Sequence, residues 1–134
     1  MFIPRGQIGS AKARYRSVDL SSRIEGATSH QLVVIMYEEA LSALEAMAHA
    51  IRRGDYHKRG QSQSRALAIV NSLETSLDFE KGGEVARGLA AVYREAKRQI
   101  SGGGRDNDPG PIEAATAMLR EIAEAWSAIG QPRI

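Results

Sequence analysis

Hydrophobic residues recur at intervals of three and four along most of the chain, which is the spacing of one face of an α-helix. The first long segment of this kind predicts a helix from Ser29 to about Arg53. Thr28 precedes it, and Gln31 follows three residues later, as in a capping box, in which each side chain accepts a hydrogen bond from the other residue's backbone amide. Gly54 supplies a residue that tolerates the left-handed conformation at the end of the helix. Both ends of this helix are therefore predicted from local signals.

Three more helices follow in the pattern. Asp55 is placed to cap a second helix from Tyr56 to about Leu77, and a third is predicted from about Glu84 to Ile100, ended by the glycine-rich stretch SGGGRDNDPGP. A fourth opens at Pro109 or Pro111. Its apolar stripe is the cleanest in the chain and comprises Ile112, Ala115, Leu119, Ile122, Trp126 and Ile129. Four helices with short links predict an all-α protein, an antiparallel four-helix bundle with an N-terminal leader segment or short extra helix.

The first long helix carries more apolar residues than one core-facing stripe needs. One stripe comprises Leu32, Met36, Ala40, Ala43, Met47 and Ala50. A second stripe beside it comprises Val33, Tyr37, Leu41, Leu44 and Ala48, and Val34 and Ile35 widen its start. Two interpretations are open: the bundle contacts this helix on two sides, or the second stripe forms a groove for an added helix.

Length and composition indicate one domain. A chain of 134 residues, 43% of them hydrophobic, can bury one core without metals or disulfides, and it contains no cysteine. We expect a flexible leader over residues 1–14 and a single helical bundle domain over residues 15–130. The longest apolar run, Leu32 to Tyr37, is far shorter than the roughly 20 residues that span a bilayer. Together with the absence of an apolar signal sequence, this predicts a cytoplasmic protein without stable membrane insertion.

Positive charge is concentrated in two places although the formal net charge is only +2. In the first 23 residues, five basic residues are opposed by one acid, Asp19. Around the first helix joint, only Asp55 is nearby in sequence to oppose a second basic group, which comprises Arg52, Arg53, Lys58, Arg59 and Arg65. These clusters support an alternative function as a small basic helical adaptor or a nucleic-acid-binding bundle, which would bind with steep salt dependence.

Residues with catalytic or ligand-binding potential are sparse. His30, His49 and His57 are the only histidines, and none has the spacing of a zinc or di-iron ligand set. The segment GGEVARG lacks the Gly-Lys-Ser/Thr of a phosphate-binding loop, and DNDPG lacks the later glutamate of an EF-hand. We therefore expect no enzyme activity, no metal and no cofactor, and the pattern favours binding over catalysis.

One segment carries a more specific signal, LETSLDFEKGGEVARGL at residues 73–89. Its combination of Ser76-Leu77-Asp78 with a later glutamate, a glycine pair and Leu89, followed by Tyr93 four residues beyond the segment, is unusual. Its order relative to ATSHQLVVIMYEEAL before it and LREIAEAW after it is also specific. In these features the chain resembles the FliS family of flagellar export chaperones, over roughly Tyr15 to Trp126.

The resemblance implies a cytosolic type III flagellar export chaperone without enzymatic activity. It would bind the C-terminal segment of flagellin, which is disordered alone and folds into helices around the chaperone, and so prevent premature polymerisation and deliver flagellin for export. Family members also contact the flagellar export gate when loaded. Ordering such a segment costs about 2–5 kcal/mol or more, so a long apolar groove is needed.

The resemblance and the second stripe together give an expected flagellin-binding set. In this set, Tyr15 and the spaced apolar residues Leu20 and Ile24 belong to an N-terminal segment that acts as a mobile lid over the binding surface. The joint with the glycine pair lies beside the groove. Asp78 or Glu80 caps a helix of the partner. The set comprises Tyr15, Leu20, Ile24, Val33, Val34, Tyr37, Leu41, Leu77, Asp78, Phe79, Glu80, Leu89 and Tyr93.

Overall fold

The structure, a computed structural model, describes residues 17–129, and within them every regular element is a helix. Residues 17–25 form α1. The other helices are α2 (Ser29–Arg53), α3 (Tyr56–Thr75), α4 (Phe79–Asp106) and α5 (Pro109–Ile129). The chain divides into two compact units, with the boundary between Leu32 and Val33. The predicted leader over residues 1–14 lies outside the described residues.

The described part of the first unit contains α1 and the start of α2. The side chains of Val18 and Ile24 on α1 are 66% and 45% exposed. After a turn, the predicted capping box is present: the Thr28 amide donates to Gln31 Oε1 at 2.9 Å, and the Gln31 amide donates to Thr28 Oγ1 at 3.1 Å. These two bonds satisfy amides that no helical carbonyl can reach, and they explain why α2 begins at Ser29 as predicted.

The second unit is a helical bundle whose core takes residues from α2, α3, α4 and α5. Links of two or three residues separate these helices, which is the arrangement of antiparallel neighbours. Ion pairs join α2 to α3 through Glu39 and Arg65, and α5 back to α2 through Glu113 and Arg52. The predicted fold class is therefore confirmed. The largest fully buried side chains are Leu44, Met47, Val70, Tyr93, Ile100, Ile112 and Leu119.

Both apolar stripes of α2 contribute to this core. Ala40 and Met47 of the first stripe are buried, and so are Tyr37, Leu44 and Ala48 of the second. The bundle thus contacts α2 on two sides over most of its length, as the first interpretation proposed. The interpretation of the whole second stripe as a groove is wrong, because only its beginning borders an open cavity.

The joint between α3 and α4 differs from the prediction. α3 ends at Thr75 rather than about Leu77, and α4 begins at Phe79 rather than Glu84. The reason is Asp78, whose side chain accepts a hydrogen bond from the Lys81 amide at 3.0 Å and so caps a helix that starts at the next residue. The predicted interruption before Glu84 is present as a kink inside α4 at Gly83, which has φ 47° and ψ −123°.

α4 also continues past its predicted end at Ile100 to Asp106, through three consecutive glycines. Glycine disfavours helix interiors by about 1 kcal/mol relative to alanine, so packing must compensate here. Gly103 is buried against α5, where an added Cβ would lie 2.7 Å from Ile112 Cδ1. Gly104 is buried against the side chain of Gln63 on α3. The helix ends at Asn107, which adopts the left-handed conformation at φ 50°.

Candidate functional site

An open apolar cavity of about 520 Å³ lies in the second unit, bordered by the beginning of α2, the joint between α3 and α4, and the last turns of α5. We call it the groove. Its lining combines residues from all four bundle helices and from the α3–α4 joint. The lining residues are Val33, Tyr37, Leu73, Ser76, Leu77, Asp78, Lys81, Gly82, Val85, Ala86, Leu89, Tyr93, Ile122, Ala125, Trp126 and Ile129.

The floor of the groove contains a pair of tyrosines. Tyr37 on α2 and Tyr93 on α4 are each only 2% exposed, and their hydroxyl groups form a hydrogen bond with each other. Burial raises the pKa of both phenols above the ordinary value of 10.0. Both side chains therefore stay neutral near pH 7. Because their polar atoms are paired, they offer a bound ligand mainly ring carbon.

The first turn of α4 forms one wall. Asp78 fixes this turn through its capping bond to the Lys81 amide, and the kink at Gly83 redirects the helix one residue after the turn. Gly82 lies within the turn at a close contact, since an added Cβ would be 2.8 Å from the Ala86 Cβ. The two glycines thus have separate structural roles. Gly82 allows close packing against Ala86, and Gly83 allows a backbone conformation that other residues rarely adopt.

Large apolar side chains at the edge of the groove are open to water. Val85 on α4 is 72% exposed, and Ile129 at the end of α5 is 75% exposed. Trp126, one turn before Ile129, is half-buried in the lining. An apolar floor with an apolar exposed edge is the arrangement expected for a site that accepts apolar side chains from a partner.

The groove brings together part of the predicted binding set. The predicted residues that line it are Val33, Tyr37, Leu77, Asp78, Leu89 and Tyr93. Phe79 is 46% exposed on the first turn of α4, but it is not a lining residue, and neither is the exposed Glu80. Val34 and Leu41 on α2 also lie outside the lining, and Leu41 packs against the core.

The remaining predicted residues precede α2 in the chain. Leu20 and Ile24 lie on α1 in the first unit, and Tyr15 lies outside the described residues. That the leader acts as a lid stays a prediction. That Asp78 or Glu80 caps a helix of the partner also stays a prediction. In the structure, the Asp78 side chain accepts a hydrogen bond from the Lys81 amide and caps its own helix.

Sequence reasoning missed the contribution of α5 and of the α4 edge. Ile122, Trp126 and Ile129 were recognised as an amphipathic stripe, but only the packed bundle shows that the last turns of this stripe line a groove. Val85, near the predicted start of the third helix, also lines the groove and is largely exposed. The signal available in the sequence was the apolar stripe of α5, which continues to the end of the helix at Ile129, beyond the residues that the core buries.

Several side chains of the basic cluster at the α2–α3 joint have partners on other helices or at other helix ends. Asp55 is not its only opposing acid, because Arg52 pairs with Glu113 from α5 and Arg65 pairs with Glu39 from α2. In addition, Arg59 donates to Asn107 Oδ1 at 3.3 Å. The expectation that only Asp55 opposes this cluster is therefore wrong.

Two further features concern metal binding and membrane insertion. Among residues 17–129, no three side chains of the metal-ligating types lie close enough together to hold an ion. Within the same residues, no helix combines the length and the apolar character required to cross a bilayer.

The chain is similar to known proteins over most of its length. The family described as flagellar protein FliS matches residues 11–133. The flagellar secretion chaperone FliS of Salmonella typhimurium is 35% identical over 116 residues, which cover 86% of each chain. The FliS chaperone of Vibrio cholerae is 31% identical over 90% of this chain and 88% of its own, and that of Escherichia coli is 31% identical over 84% and 83%. The chain therefore belongs to the FliS family of flagellar secretion chaperones, which are binding proteins rather than enzymes.

Proposed function

We propose that this chaperone acts in the cytoplasm by binding the C-terminal segment of flagellin in the groove, which keeps flagellin from polymerising before export and delivers it to the export machinery. The observation that carries the proposal is the preformed apolar groove with Val85 and Ile129 exposed at its edge. Family membership supports a flagellar secretion substrate as the partner. The apolar lining supports an amphipathic helix as the bound form.

The energetics of the groove suit a segment that folds as it binds. Burying one large aliphatic side chain contributes about 1.5–3 kcal/mol, whereas ordering a disordered segment costs about 2–5 kcal/mol or more. Two or three apolar side chains in the groove therefore roughly offset the ordering cost, and further contacts along the segment supply net affinity. A cavity of about 520 Å³ has room for such a cluster of side chains.

The same burial explains how polymerisation would be prevented. An amphipathic segment has one apolar face, and a face buried in the groove is unavailable for contacts with another flagellin molecule. Competition of this kind requires no chemical reaction and no cofactor. It also makes release straightforward, because withdrawal of the segment restores both surfaces.

A charge placed at the edge of the groove tests the proposal. Val85→Glu introduces a carboxylate beside the apolar lining at a side chain that is 72% exposed, so the fold should tolerate it. We expect this variant to bind the C-terminal segment of flagellin at least tenfold more weakly than the wild type, which corresponds to about 1.4 kcal/mol. The matched control is Ala68→Glu, at an exposed position of α3 outside the groove lining.

Titration can be followed through Trp126, the only tryptophan in the chain and a lining residue of the groove. A tryptophan-free flagellin segment should shift its emission on binding, and calorimetry should give the same affinity. Equal affinities for the wild type and the Val85→Glu variant would place the binding surface elsewhere and reject the groove.

A further inference from the structure

Gly88 on α4 is a helical glycine that the rest of the described chain does not explain. Gly82 and Gly103 occupy positions where an added Cβ would come within 3 Å of a neighbouring atom, and Gly83 has a positive φ. Gly88 has neither feature: a Cβ there would meet nothing within 4 Å, and the residue is exposed. Gly60 on α3 is equally unobstructed, so the feature that distinguishes Gly88 is its place beside the residues that line the groove.

The surroundings of Gly88 point to the groove. Val85 lies three residues before it and Val92 four residues after it, so the three positions follow one side of α4. Val85 is an exposed lining residue of the groove, and Leu89, next to Gly88 in the chain, is a half-buried one. Gly88 is therefore a gap without a side chain between two valines, with the exposed Glu84 and Ala91 as its other neighbours on the helix surface. We call this gap the notch.

We propose that the notch receives the bound helix of the secretion substrate and lets it approach the α4 backbone closely. This inference rests on the proposed function and adds a position that determines how the helix docks. The distance between packed helices depends on the side chains at the contact, and glycine permits the shortest approach. Val85 and Val92 would then contact the two sides of the apolar side chain that enters the notch.

The test compares two glycine-to-alanine substitutions. Gly88→Ala fills the notch with one methyl group, and Gly60→Ala makes the same change on α3, where an added Cβ also meets nothing within 4 Å and no groove residue lies nearby in sequence. Both changes remove an unfavourable helical glycine, so both variants should melt about 3 °C above the wild type. The probe is the C-terminal segment of flagellin from the same organism, titrated by calorimetry.

We expect Gly88→Ala to weaken binding at least fivefold, and Gly88→Leu to weaken it further, while Gly60→Ala binds like the wild type. An affinity of Gly88→Ala within twofold of the wild type would overturn the notch and leave the proposed function standing. If the wild type itself did not bind the segment, both the proposed function and the notch that rests on it would fall. The melting temperatures establish that any loss of binding is not a loss of folding.

Discussion

The hydroxyl groups of Tyr37 and Tyr93 satisfy each other beneath the groove, in a place where both side chains are almost completely buried. This mutual arrangement makes the effect of a single substitution different from that of a double one. Removing one hydroxyl leaves the other buried without its partner, whereas removing both leaves apolar rings of nearly the same shape.

We expect Tyr37→Phe and Tyr93→Phe each to lower the free energy of unfolding by about 1–3 kcal/mol. The double variant should be destabilised by clearly less than the sum of the two single effects, because no unpaired hydroxyl remains. Denaturant titration of all four proteins measures this coupling. Strictly additive losses would show that the two hydroxyl groups act independently.

Glu74 gives the fold a dependence on acidity. Lys97 Nζ lies 2.5 Å from Glu74 Oε1, and Arg94 Nε lies 3.3 Å from Oε2. The close ammonium group of Lys97, followed by the hydrogen bond from Arg94, holds the pKa of Glu74 below its ordinary value of 4.5, against the opposing effect of desolvation. A carboxylate whose pKa is lower in the folded state than in the unfolded state stabilises the fold at pH values above its unfolded-state pKa. This contribution is lost as the pH falls through its folded-state pKa.

The Glu74→Gln variant should lack that contribution. We expect the wild type to be the more stable protein at pH 7 and its advantage to shrink as the pH is lowered from about 5 to about 3. Urea titrations at several pH values, with both proteins in the same buffers, measure the difference. An advantage that stays constant over this range would mean that Glu74 acts through packing rather than through its charge.

At the scale of helices, α2 and α4 show what local sequence can predict. The start and end of α2 follow from Thr28, Gln31 and Gly54, whose effects act within a few residues, and both were predicted. The end of α4 depends on Gly103 and Gly104, which are helical because α5 and α3 pack closely against them. No local rule contains that information, so the sequence alone predicts a helix end at the run of glycines.

Two of the three consecutive glycines near the end of α4 should respond in opposite ways to the same substitution. Gly102→Ala places a Cβ 3.7 Å from its nearest neighbour, so we expect a gain of about 0.5–1 kcal/mol in stability from improved helix propensity. Gly103→Ala places a Cβ 2.9 Å from the backbone oxygen of Asp108 as well as against Ile112, so we expect a loss of about 1–3 kcal/mol.

Thermal and denaturant unfolding of the two variants measure these opposite signs, and each variant serves as the other's control. Stabilisation by both substitutions would show that α4 does not approach α5 as closely as the structure indicates.

For the whole molecule, the fold class followed from helical periodicity, but the groove followed only in part. The α3–α4 joint and the beginning of α2 were predicted to border it, because the joint has an unusual sequence and α2 has an excess of apolar residues. The contributions of Trp126 and Ile129 depend on how α5 crosses the end of the bundle, which periodicity does not specify. Likewise, the acids that pair with Arg52 and Arg65 are distant in sequence and meet them only in the folded bundle.

The two functions considered from the sequence predict different responses to salt. A bundle that binds nucleic acid releases counterions, so its affinity falls steeply as salt rises. Burial of apolar side chains in the groove depends only weakly on salt, and it produces a negative heat-capacity change.

The most direct test is therefore a calorimetric titration of the wild-type protein with the C-terminal segment of flagellin, at several temperatures and at low and high salt. The groove account predicts saturable one-to-one binding, a negative heat-capacity change and an affinity that changes little with salt. Absence of binding at both salt concentrations, or binding that disappears as salt rises, would contradict it.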